Sequence, residues 1–204
     1  MSFHPPPSGL LSIAGNVDFL MTLEEIAGRW AEQKEIPLAP RTVAKRLAQR
    51  SRAIRTLLEL PARPRPRTAR QWETAWNRRA LYDELHAAAK RLGWEVRAIE
   101  RYEDNPAFLP VARDEENVLL VEQEAAIHLL EELRAAGLRL PFQPADTLLI
   151  QLAEDLFHLA ADKAGHQPRD AWVDEAAPSV FAQDVLGLPF CPLVLRVLED
   201  RRRR

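Results

Sequence analysis

Leu149-Ile150-Gln151-Leu152-Ala153-Glu154-Asp155-Leu156-Phe157-His158-Leu159 is the stretch on which the reading of this chain turns. Apolar residues recur every three or four positions, the pattern of an amphipathic helix. Glu154 and His158 stand four apart, so a helix puts them on one face. Read plainly, Glu154 and Asp155 are a solvated acidic pair and His158 packs at the helix edge. Read chemically, a carboxylate and an imidazole on one face are metal-ligand types at metal-ligand spacing.

The chemical reading has a precedent in the H-E-x-x-H motif. There, two histidines four apart bind zinc, and the glutamate beside the first is general base to the metal-bound water. Here the five positions are Glu154-Asp155-Leu156-Phe157-His158. The first ligand becomes Glu154, which zinc accepts through oxygen. The base becomes Asp155, one methylene shorter than glutamate. A misplacement of about 1 Å can cost roughly 100-fold in rate. The run Leu152-Ala153-Glu154-Asp155-Leu156-Phe157-His158 resembles the L-A-H-E-L-F-H of ImmA/IrrE-like bacterial zinc metallopeptidases. The resemblance covers roughly residues 80–200. It implies a third zinc ligand on a following helix, at the matching Glu175 in Val173-Asp174-Glu175-Ala176-Ala177. It thus implies Glu154, His158 and Glu175 as the metal set and Asp155 as the catalytic position. With two motif positions changed, a fold retained for sensing or protein contact is favoured over an active peptidase that cleaves a regulatory protein.

The net charge of −2 hides an asymmetry. Residues 22–101 hold 18 Lys/Arg and 10 Asp/Glu, whereas 102–200 hold 6 and 19. A basic front suits nucleic acid, and the two halves also suit each other. A hydrophobic fraction of 47% excludes a disordered chain. No apolar run approaches the roughly 18 residues of a membrane span, and Met1-Ser2-Phe3-His4-Pro5-Pro6-Pro7 is no secretory signal. With Cys191 alone, no internal disulfide forms, which fits a cytoplasmic location.

Residues 1–21 read as a flexible arm. Thr22-Leu23-Glu24-Glu25 is a capping box. It opens a helix to about Gln33, with Leu23, Ile26, Ala27 and Trp30 inward. A second helix starts near Pro40-Arg41, with Val43, Ala44, Leu47 and Ile54 inward. T-L-E-E-I-A followed by R-T-V-A-K-R-L resembles the helix-turn-helix of bacterial transcription regulators, although the connection exceeds the usual three or four residues. DNA binding needs cations for phosphates and polar groups for base edges. Arg41, Thr42, Lys45, Arg46, Arg50 and Arg52 supply both from residues 22–60. The alternating Pro/Arg run adds Arg63, Arg65 and Arg67 within a basic linker over 61–79, expected to be extended and solvated. Residues 41–79 carry 12 basic and 2 acidic side chains, which makes this the expected DNA-facing region. Trp72 and Trp76, four apart, read as core anchors at the start of the next helical piece.

Residues 80–200 read as a zincin-like domain. Residues 80–92 form a helix stopped by Gly93. Strands follow over 94–99, 107–112 and 117–121, and their short spacing suggests a meander. A helix over 122–136 precedes the motif helix. In it Glu124 and His128 repeat the four-residue spacing, a weaker second option for a metal site. Residues 192–200 read as a short helix, and Arg201–Arg204 as a basic tail. The expected fold class is α+β, mainly helical: a helix-turn-helix-like segment, a linker, and a domain with a small three-stranded sheet. The function expected is a regulatory protein that binds DNA, with zinc as the only implied cofactor. A purely protein-binding module without metal or DNA is the remaining reading.

Overall fold

Thr22 starts the first helix as its sequence demands. Its Oγ1 accepts from the Glu25 backbone N–H at 3.2 Å, and the Glu25 carboxylate accepts from the Thr22 N–H at 2.7 Å. The computed structural model describes residues 21–66, 69–99, 111–113, 117–164 and 171–197. Expectations for the arm before residue 21, for Arg67, for residues 107–110 and for the tail after 197 lie outside them.

The described chain is mainly helical. In order it forms α1 (Leu23–Gln33), α2 (Pro40–Leu57), α3 (Ala69–Ala75), α4 (Arg78–Leu92), β1 (Glu95–Ile99), β2 (Val111–Arg113), β3 (Val118–Glu122), α5 (Gln123–Ala135), α6 (Pro144–Lys163) and α7 (Ala171–Leu186). Residues 193–197 add a last helical turn. Proline sits in the first turn of both α2 and α6, where no intrahelical N–H is missed. Gly93 ends α4 in the left-handed region, at φ 89°, which a side chain would resist.

The sheet is not a meander. Its order is β1-β3-β2, with β1 parallel to β3 in the register Glu95↔Val118 and β2 antiparallel to β3. Parallel neighbours need a crossover rather than a hairpin. The residues between β1 and β3 are long enough to provide one. β3 is buried along its whole length, as a central strand of Val118-Leu119-Leu120-Val121 should be.

α6 runs through the middle and packs against α7, α4, α5, α2 and β3. Leu149, Ile150, Leu152, Ala153, Leu156, Phe157 and Ala160 are all buried, so this helix is apolar on most of its circumference. The core is continuous. Trp30 and Leu47 from α1 and α2 join Leu85, Leu156, Phe157, Phe181 and Leu193 in one cluster. Gly28 lets α2 begin close against α1, because a Cβ there would lie 3.2 Å from Pro40 Cγ.

The Pro/Arg stretch meets expectation only in part. Residues 61–66 are irregular and mostly exposed, as expected, but they are also docked at particular points. The Arg63 backbone N–H donates to the Asp184 carbonyl at 2.8 Å, and Pro66 is buried. At Gly187, φ is +69°, and a Cβ would lie 3.0 Å from the Arg63 Cβ and 3.2 Å from the Pro64 carbonyl oxygen. A glycine is required where these two segments meet. Residues 69–75 then coil into α3, which buries Trp72. Trp72 stacks on Trp76 at 4.2 Å between ring centroids, and both rings face Phe142.

Candidate functional site

The motif positions diverge around α6. Glu154 is half-buried and accepts a hydrogen bond from Ser179 Oγ at 2.6 Å, across the contact with α7. His158 lies at the surface beside Phe157, with the two rings edge to face. Crowding by protein atoms lowers its pKa, against the upward pull of Glu154, Asp162 and Asp174. Glu175 is turned elsewhere: its carboxylate pairs with Lys34 Nζ at 2.6 Å. Its neighbour Asp174 takes a two-pronged bond from Arg50, at 2.9 and 3.2 Å.

Asp155 is only 7% exposed, and its Oδ2 has no hydrogen-bond partner among the described residues. Burial, and then the charge of Glu154, push its pKa well above the usual carboxylate range. Burial of a carboxyl with an unpartnered oxygen disfavours its ionised form. A general base must be ionised and within reach of the water it activates. Burial works against the first of these conditions at Asp155.

Glu154 and His158 therefore share a face, as their spacing requires, but the third position is bound to Lys34. Among the described residues no three His, Cys, Asp or Glu side chains come together in a group able to hold a metal ion, and Glu124 and His128 supply none either. The described residues do not assemble a zinc site. Cys191 is buried, and burial pushes its thiol up to about 12, so it is no accessible ligand or nucleophile.

The state of Asp155 has a stability consequence. A carboxyl whose folded pKa is raised favours folding fully below its ordinary value of 3.8, and that advantage is lost as pH rises toward the folded value. Asp155→Asn removes this loss. The variant is expected to gain stability relative to the native chain between pH 4 and pH 7 in urea unfolding. An equal difference at both pH values would mean that Asp155 is ionised in the fold.

The basic residues separate into two groups. Arg46 lies over the Trp172 ring at 6.0 Å, and Arg50 holds Asp174. Arg63 donates to Glu84 at 2.6 Å and to the Val185 carbonyl. Arg65 reaches Asp184 at 3.3 Å. These four join parts of the fold. Arg41, Thr42, Lys45 and Arg52 are instead exposed along α2, opposite its buried Val43, Leu47, Ser51 and Ile54. Arg41, Lys45 and Arg52 have no ion-pair partner among the described residues. Gln49 completes this face and was missed in the sequence. Positions 41, 45, 49 and 52 follow the spacing that keeps side chains in one row, so the signal was present. Compared with protein-family models, with curated proteins and with solved structures, the chain matches none. Among the described residues no helix is long and apolar enough to cross a membrane.

Proposed function

We propose that this chain is a cytoplasmic regulatory protein that binds duplex DNA through the exposed face of α2. The rest of the chain, read as a degenerate zinc-peptidase-like scaffold with its three-stranded sheet, holds that helix and serves sensing or protein contact. One observation carries the reading: Arg41, Lys45, Gln49 and Arg52 form a single solvent-facing row, flanked by Thr42. The row spans about 16 Å of helix at 1.5 Å per residue. An α-helix fits the DNA major groove. Three cations suit phosphates, and an amide and a hydroxyl suit base edges. The burial of Asp155, which disfavours its ionised form, and the Lys34-bound Glu175 favour contact over hydrolysis.

Salt dependence tests this reading. Phosphate contacts release counterions, so affinity falls with salt at a log–log slope of about −0.9 per contact. Three free cations predict a slope near −3, or about 40-fold weaker binding between 50 and 200 mM salt. The measurement is fluorescence anisotropy of a labelled duplex of arbitrary sequence. No saturable binding at 50 mM salt, or a slope near zero, would reject DNA as the partner.

A further inference from the structure

α4, α6 and the sheet leave a cavity of about 430 Å³ between them. That lies within the roughly 300–1,000 Å³ typical of small-molecule sites. Its walls are apolar, with Ala98 and Val121 from the sheet and Leu148 and Leu152 from α6. Ala98 is exposed although it lies on the strand face that carries Val96, and it is exposed because this cavity adjoins it. Among the described residues, charge enters from one element only. Arg78, Arg79 and Tyr82 line the cavity from the first turns of α4. Arg78 is committed to Asp146, through bonds of 2.6 and 2.9 Å. Arg79 is exposed and has no partner among the described residues. It stands in the first turn of a 15-residue helix, where the helix dipole adds to its positive potential.

We infer that this cavity is a binding site for a small amphipathic anion, with an unbranched apolar body among the leucines and valines and one carboxylate-type head at Arg79. An uncharged apolar ligand would leave Arg79 unused, and a cationic one would meet it unfavourably. A ligand with several charges has no second free cation to meet among the described residues that line the cavity. The site is separate from α2 and stands whether or not the DNA reading holds.

Calorimetric titration of the full chain with sodium octanoate and sodium decanoate tests the inference. One molecule per chain is expected to bind. Each added methylene buried should strengthen binding about fourfold, so decanoate should bind roughly 16-fold tighter than octanoate. Decyltrimethylammonium, with the same tail and the opposite charge, is expected to bind at least tenfold more weakly than decanoate. Arg79→Glu changes an exposed residue and should reverse that preference. Ala98→Trp places an aromatic ring on an exposed strand position, where the fold tolerates it. It should fill the cavity and abolish decanoate binding while circular dichroism stays unchanged. The inference is overturned by non-saturable uptake, by equal affinity for the two head groups, or by decanoate binding that survives Ala98→Trp.

Discussion

Replacing Asp146 with alanine is expected to destabilise the fold by roughly 3 kcal/mol, the sum of a lost helix cap and lost charged hydrogen bonds. Four donors converge on this one buried carboxylate, which is 1% exposed. Trp76 Nε1 donates at 2.7 Å, and the Arg78 guanidinium donates twice. The Gln143 backbone N–H donates at 2.7 Å, capping α6. Loss of a cap costs about 1 kcal/mol. The half-buried Trp76 N–H loses its acceptor, and an unsatisfied donor costs up to about 1–3 kcal/mol when water cannot replace the bond. Arg78 is 41% exposed on its side chain and can return to water, which limits the total. Asp146→Asn keeps an acceptor for the cap or the indole and should cost about half as much. Chemical denaturation of the two variants checks the order. A loss below about 0.5 kcal/mol for alanine, the range of an ordinary surface change, would show that these bonds contribute nothing net.

Much of the helical framework was legible because its signals are local. The Thr22–Glu25 box, Pro40 at the start of α2 and Gly93 at the end of α4 each act within one turn, and each is found where the sequence places it. The sheet order was not legible. Alternating burial tells which face of a strand is covered, not which strand lies beside it. The length between β1 and β3 permits both a meander and a crossover.

The site was legible in part, for the same reason. Glu154 and His158 share a face because spacing alone decides it. The state of Asp155 depends on what α7 covers, and Glu175 is claimed by Lys34, 141 residues away in the chain. The charge asymmetry was plain in the sequence, but the long-range pairs that use part of it were not. Arg50–Asp174, Arg65–Asp184 and Lys34–Glu175 each join the basic front to the acidic back. Only after these pairs are set aside does the free row on α2 stand out.

The DNA reading rests on that row, so reversing its charge is the most direct test. Each phosphate contact is worth about eightfold at 0.1 M salt, by counterion release. Arg41→Glu with Lys45→Glu removes two contacts, about 60-fold, and adds repulsion. Both side chains are exposed, so the fold should be kept. Arg139→Glu, at an exposed position between α5 and α6, controls for charge reversal away from the row, at half the change in net charge. Duplex affinity measured by anisotropy at 0.1 M salt should fall at least about 60-fold in the double variant and stay within about twofold in the control. Equal affinity of the native chain and the double variant would contradict the account.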